Sequence, residues 1–267
     1  MLTGVLAYEP RQWIARESER SGLGCKIVEF DSEKALNEAL LRGDIRVALR
    51  LLSGLPVSPQ DSVVIAALSE RLYPAGGLLF LEKNGSGARV LGAESEAGVW
   101  VSDPNVAAQL LEIAPKLRLL TAPRPSTFEQ LAAELHAGRC DAAFIAQWEW
   151  ELGKSHAEGL GIIALHPLEV VPPPGQGVLA WQTHRDDLGA RERLRTIHRR
   201  DTAALTNVER SIARALGSGV CAYCERDGQG FYHAFAAANT RTSLKRARAS
   251  QSTYAGLAER LIASLAA

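Results

Sequence analysis

Glu169–Asp187 reads EVVPPPGQGVLAWQTHRDD. Three prolines lead rigidly into Gly175-Gln176-Gly177, an apolar run follows, and the stretch ends polar. A proline-stiffened approach to a glycine-flanked glutamine suits either a crossing between domains or a ligand-binding turn. The sequence on its two sides decides between them.

Upstream, apolar periodicity alternates between the strand and helix periods. Leu2–Tyr8, Lys26–Phe30, Arg46–Leu52, Val63–Leu68 and Leu78–Glu82 read as strands. Arg11–Ser21 reads as a helix stopped by Gly22–Gly24. Ser32–Arg42 reads as another, with Ser32 as N-cap and Gly43 at its C-terminal stop. The turn-rich stretch Lys83–Gly87 breaks the pattern, and a second alternation begins. It has strands at Val99–Val101, Leu117–Leu120 and Asp141–Ala146, and helices at Val106–Ile113 and Ser126–His136. Ser126 and Glu129 have capping-box spacing. This order predicts two comparable α/β lobes with largely parallel sheets. Downstream come a helix at Thr202–Leu216, a glycine-rich turn, short strands at Gly230–Ala238 and Ser243–Ser250, and an amphipathic helix at Thr253–Ala266. That part predicts a small α+β domain.

The 267 residues can bury a sizeable core, and 46% hydrophobic with 22% charged residues is an ordinary globular composition. Lys+Arg and Asp+Glu are both 30, so net charge points to neither nucleic acid nor membrane as partner. The basic runs Arg191–Arg200 and Arg241–Arg248 read as solvated faces or as a surface for a small polyanion. No stretch has the roughly 18 apolar residues of a membrane span. MLTGVLAYEPRQW lacks the basic start and long apolar core of a signal peptide. Four cysteines in a chain this long do not make a disulfide framework. The expected setting is the cytoplasm, with reduced thiols and a monomeric chain.

Cys221-Ala222-Tyr223-Cys224 is a C-x-x-C. It could share a metal, cycle as a dithiol, supply one thiol as a covalent anchor, or be two unremarkable thiols. No second pair at zinc spacing accompanies it, and no metal site is expected. Gly217-Ser218-Gly219 frees the backbone for close approach but is weak evidence alone. His184 and His198 read as solvated surface residues. No P-loop, G-x-G-x-x-G, H-E-x-x-H or G-x-S-x-G occurs, which removes several enzyme classes.

Together these pieces resemble the porphobilinogen deaminase, or hydroxymethylbilane synthase, family. Val171–Leu179, ending in Arg185-Asp186-Asp187, resembles its P-x-x-G-Q-G segment. Leu135–Ala146 resembles its L-x-x-G-x-[FY]-D-A-I-I-L-A strand. Thr206–Arg210 with Leu216–Gly219 resembles its A-E-R helix and G-G-C loop, and Gly43–Pro56 the segment before its catalytic aspartate. The resemblance implies two periplasmic-binding-protein-like lobes with a hinge, plus the small C-terminal α+β domain. It places residues 1–76 and 170–187 in the first lobe, 77–169 in the second and 188–267 in the third domain. The opening stretch would then return the chain from the second lobe to the first.

The family condenses four porphobilinogen units to hydroxymethylbilane in tetrapyrrole biosynthesis. A cysteine thioether holds a dipyrromethane primer, an aspartate stabilises charge on the pyrrole nitrogens, and arginines clamp the acetate and propionate groups. Carried over, the aspartate position is Gly54 and its neighbouring lysine Ser53. The two arginines of the G-T-S-S-L-R-R segment are absent, though Ser102 and Gln109-Leu110 remain. Arg124 is a loose substitute in the next segment. Glu9 occupies the N-terminal arginine place, with Arg11 nearby. The cofactor cysteine falls on Val220, one residue before Cys221. The candidate residues are therefore Cys221 for a dipyrromethane, and Arg11, Arg50, Ser102 and Arg124 for substrate. The scaffold pattern remains while charge for the reaction is missing, so the expectation is reduced, altered or lost catalysis with no dipyrromethane. A small acidic pyrrole or tetrapyrrole is the expected ligand. The alternatives are a non-catalytic binding protein on the same scaffold, and an assembly partner using the basic runs near Arg199 and Arg246.

Overall fold

The computed structural model describes residues 1–7, 9–58, 61–82, 90–92, 94–120, 127–217, 219–239 and 243–266. They form two compact units, Met1–Leu72 with Gly177–Ala204, and Tyr73–Gln176 with Leu205–Ala267.

The first unit is built on β1 (Leu2–Leu6), β2 (Lys26–Phe30), β3 (Val47–Leu51), β4 (Val63–Leu68) and β10 (Leu179–His184). Their order is β2-β1-β3-β10-β4. Helices α1 (Arg11–Arg20) and α2 (Glu33–Arg42) connect the first three strands, which pair in parallel. Short polar caps set α2: Ser32 Oγ accepts from Ala35 N–H at 3.2 Å, and Gly43 ends the helix at φ +80°. Leu36, Ala39 and Leu40 turn the apolar face of α2 onto Leu6, Ile45 and Ala48. β10 runs antiparallel to both β3 and β4, and its Trp181 is fully buried.

The second unit repeats the plan with β5 (Gly76–Leu81), β6 (Gly98–Trp100), β7 (Arg118–Leu120), β8 (Ala142–Ala146) and β9 (Leu160–Leu165), ordered β7-β6-β8-β5-β9. Here β5 is the antiparallel strand. Helix α3 (Pro104–Ile113) starts on an Asp103 N-cap with proline at its first position. Helix α4 (Phe128–His136) is capped by Thr127, whose side chain accepts from Gln130 N–H. The expected cap Ser126 and the turn Lys83–Gly87 lie outside the described residues. Helix α5 (Gln147–Gly153) follows β8. A three-stranded antiparallel sheet, β11 (Val220–Arg226), β12 (Tyr232–Asn239) and β13 (Leu244–Gln251), belongs to this unit with α8 (Leu257–Ala266).

The two five-stranded sheets are mixed, each with four strands in one direction and one opposed. The opposed strand is in each case the one entered from the other unit's chain: β5 after Leu72/Tyr73, β10 after Gln176/Gly177. The two crossings carry three positive φ angles, at Tyr73 (+56°), Gly175 (+81°) and Gly177 (+78°). The opening stretch is thus a domain crossing. Its polar groups are met locally. Gln176 Nε2 donates to Pro74 O and Ala75 O at 2.6 and 2.9 Å, and Ala222 N–H to Pro172 O at 3.2 Å.

By their contacts, residues 188–204 group with the first unit and 205–267 with the second. Helix α6 (Leu188–Arg195) buries Ala190 and Leu194 in the first unit. Arg199 N–H donates to Leu68 O, and Leu68 N–H to His198 Nδ1 at 3.2 Å. His198 is therefore a half-buried acceptor that ties this segment down, and burial holds its pKa below the ordinary value. The long helix α7 (Arg200–Leu216) contains the boundary at Ala204/Leu205.

Candidate functional site

In the first unit, the carboxyl ends of β1 and β3 bring together Glu9, Arg50 and Glu33. In open α/β sheets ligands bind at this end of the strands. Arg50 is 3% exposed. Its Nε donates to Glu9 Oε1 at 3.4 Å and its Nη2 to the Glu33 carboxylate. Glu9 Oε1 also accepts from Leu51 N–H at 3.3 Å, while Oε2 is buried with no partner among the described residues. Burial raises the Glu9 carboxyl to about 7 against the opposing charge of Arg50. Arg50 is thus occupied by two carboxylates and is not held out as a carboxylate clamp. Arg11 lies at the surface and donates to Glu29 at 2.7 Å. Gly54 closes a 3₁₀ turn, Leu52–Gly54, and is exposed. A Cβ there would meet nothing within 4 Å, so no steric demand calls for glycine.

In the second unit, Cys221 sits inside β11 with no exposed surface. It packs among Val106, Leu110, Val171, Tyr223 and Ala237. Burial pushes its thiol well above the ordinary value, Asp103 pushes it further, and a hydrogen bond with Gln109 and the charge of Arg246 oppose. Gln109 is itself clasped to Val171, donating to its carbonyl at 2.9 Å and accepting from its N–H at 2.8 Å. Arg246 is held by Glu112 at 2.8 Å and by Glu169 O at 3.0 Å. The sequence places Cys221 in a loop after a Gly-Ser-Gly turn. The structure places it in a strand, because the β11 ladder with β12 starts at Val220. Cys224 is also fully buried in that strand, three positions on, so successive pleats point the two thiols to opposite faces. Ser102 is exposed, one residue before the Asp103 cap. Arg124 lies outside the described residues.

One buried acid escaped the sequence reading. Glu209 on α7 has no exposed surface, and its carboxylate accepts from Gly175 N–H and Cys224 N–H, both at 2.8 Å. It joins the proline-glycine crossing to β11. The visible signal was a glutamate inside the apolar pattern of the Thr206–Arg210 motif.

Comparison with known families now bears on these two groups of residues. The model described as porphobilinogen deaminase, dipyromethane cofactor binding domain, matches residues 32–192. This chain belongs to the porphobilinogen deaminase family. The porphobilinogen deaminase of Acidothermus cellulolyticus is 30% identical over 191 residues, 70% of this chain and 55% of that protein. That of Desulforudis audaxviator is 30% identical over 231 residues, 81% of this chain and 69% of that protein. The match thus spans little more than half of the first relative. Among solved structures, the Bordetella pertussis BvgS VFT2 domain is similar at 16% identity and a TM-score of 0.49, covering 79% of this chain and 90% of that one. The substrate binding protein of an amino acid ABC transporter has 16% identity and a TM-score of 0.43, covering 74% and 90%.

Against the family pattern, the residues present do not fit a thioether-linked dipyrromethane. The family cysteine position is Val220, itself buried, and the adjacent thiol is sealed in a strand. Gly54 stands where the resemblance puts the family aspartate, and Arg50 is engaged by Glu9 and Glu33.

Proposed function

We propose that this chain keeps the porphobilinogen deaminase scaffold as a binding protein and does not build hydroxymethylbilane. One observation carries the reading: the Cys221 thiol, next to the family's anchor position, is enclosed in the core of the second unit. A thioether to a dipyrromethane needs a thiolate that can reach its electrophile. A buried thiol with a raised pKa supplies neither access nor thiolate. The missing aspartate works in the same direction, since removing a charge that stabilises a transition state costs orders of magnitude in rate. Family membership suggests a small acidic pyrrole or a linear tetrapyrrole as ligand. Four cysteines with no disulfide among the described residues suit a reducing compartment, and we place the protein in the cytoplasm.

The test is titration of the purified protein with porphobilinogen, following thermal unfolding and pyrrole consumption in parallel. A ligand-dependent rise in Tm without consumption of porphobilinogen is expected. Steady consumption with release of hydroxymethylbilane would overturn the reading. No rise in Tm with either porphobilinogen or a linear tetrapyrrole would remove the pyrrole ligand class.

A further inference from the structure

At one end of the C-terminal sheet, Asp227, His233 and Ser250 form a chain of hydrogen bonds apart from both groups above. His233 Nδ1 lies 2.7 Å from Ser250 Oγ, and His233 Nε2 lies 2.9 Å from Asp227 Oδ2. The order is imposed by the fold. His233 on β12 and Ser250 on β13 are register partners, so their side chains share one face. Asp227 begins the β11–β12 turn, where its Oδ1 accepts from Gln229 N–H and Phe231 N–H, both at 2.9 Å. That leaves Oδ2 for the imidazole. An ionised carboxylate only accepts, so Nε2 carries the ring proton and Nδ1 is left to accept from the serine hydroxyl. The bond from His233 also holds the Asp227 carboxyl below its ordinary value, which keeps it ionised. Ser250 is exposed and His233 half-buried, so the serine oxygen is open to solvent and the base behind it is fixed.

The same face carries a place for a substrate. Arg248 and Arg246 precede Ser250 at alternate positions on β13, opposite Phe235 and Ala237. A cavity of about 260 Å³ is lined there by Leu168, Val171, Phe235, Arg246 and Arg248. It offers an apolar wall and, one pleat repeat from the serine, the Arg248 guanidinium, while Arg246 is already held by Glu112. We propose that Ser250, His233 and Asp227 form a serine-nucleophile relay that hydrolyses small acyl esters, with preference for acyl groups ending in a carboxylate.

In the first step Ser250 Oγ bonds to the ester carbonyl carbon and its proton passes to His233 Nδ1. Asp227 holds the resulting imidazolium. The carbon–alkoxide bond breaks, and the alcohol leaves with the Nδ1 proton. Water then attacks the acyl-serine and gives a proton to Nδ1. The acyl–Oγ bond breaks, the proton returns to Oγ, and the net reaction is ester plus water to acid plus alcohol. Nothing beyond water is consumed, and neither Cys221 nor a pyrrole takes part.

The test is labelling of the full-length protein with a fluorophosphonate, followed by peptide mapping, with 4-nitrophenyl acetate hydrolysis measured alongside. One phosphonyl group on Ser250 is expected, absent in Ser250→Ala. His233→Gln should slow labelling and hydrolysis by about 100-fold or more, the usual share of a positioned general base. The mono-4-nitrophenyl ester of succinate should be cleaved faster than the acetate, and Arg248→Gln should remove that preference. Ser250 is exposed, so Ser250→Ala is expected to keep the thermal unfolding profile and serves as the folded control. No labelling of Ser250, or equal rates in wild type and His233→Gln, would overturn the proposal.

Discussion

Glu9 stands where the resemblance puts an arginine, and the structure gives it a partner in Arg50. Glu9 and Arg50 are buried, exposed Glu33 reaches the same guanidinium, and one Glu9 oxygen has no partner among the described residues. Burial of the Glu9 carboxyl makes stability depend on pH. The Glu9 carboxyl ionises at an ordinary 4.5 in the unfolded chain and at about 7 when folded. Between those values the folded state binds a proton that the unfolded state has released, so stability falls as pH rises from 4.5 to 7 and levels off above. The difference of about 2.5 units corresponds to roughly 3 kcal/mol. Glu9→Gln should lose markedly less stability than wild type between pH 4.5 and 8 in urea unfolding; equal losses would contradict the assignment. The cysteines separate in the same way. Cys25 is only half-buried, whereas Cys140, Cys221 and Cys224 are buried. Cys140 is pushed from an ordinary 9.0 to about 12 by burial and by Asp141 and Glu134. Three units reduce its thiolate population roughly a thousandfold. Iodoacetamide at pH 8 should therefore modify Cys25 first, leaving the other three until the protein unfolds. Early modification of Cys221, read by peptide mass, would show that its pocket opens.

At the scale of elements, the Glu209 carboxylate and the Gly175 backbone set how the crossing meets β11. Glu209→Ala leaves two buried N–H groups unmet, a loss of about 2–4 kcal/mol. Gly175→Ala forces a Cβ into φ +81° and should cost about 1–2 kcal/mol. Because Glu209 accepts from Gly175 N–H, the double variant should lose less than the sum in chemical unfolding. Strict additivity would mean the two act separately. The elements legible in the sequence were those with local signals: Ser32 before α2, Gly43 after it, and the apolar period of α4. β10 and β11 carry no alternation because they are buried on both faces, so Val220–Cys224 read as a turn with a thiol pair. The candidate site residues were read by a different route. Gly54 and Val220 stand out against the family pattern, residue by residue. The neutralisation of Arg50 does not, because its partners lie 41 and 17 residues away and meet it only when β1, α2 and β3 assemble.

For the whole molecule, each lobe's antiparallel strand is the first one after a crossing, and the proline-glycine stretch lies at one of the two crossings. Scaffold residues such as Gln176, Glu209 and the crossing glycines are engaged in the hydrogen bonds and backbone angles the architecture needs. On the proposed reading, the residues required for pyrrole polymerisation are replaced or enclosed. Restoring one of them should not restore the chemistry. Gly54→Asp meets open space and should keep stability within about 0.5 kcal/mol of wild type while producing no hydroxymethylbilane. Appearance of product in that variant would show that a primer is held after all. The most direct measurement is the intact mass of the protein purified from cells that make porphobilinogen. The expected mass is that of the unmodified chain. An added mass of two pyrrole units, lost in Cys221→Ser, would contradict it.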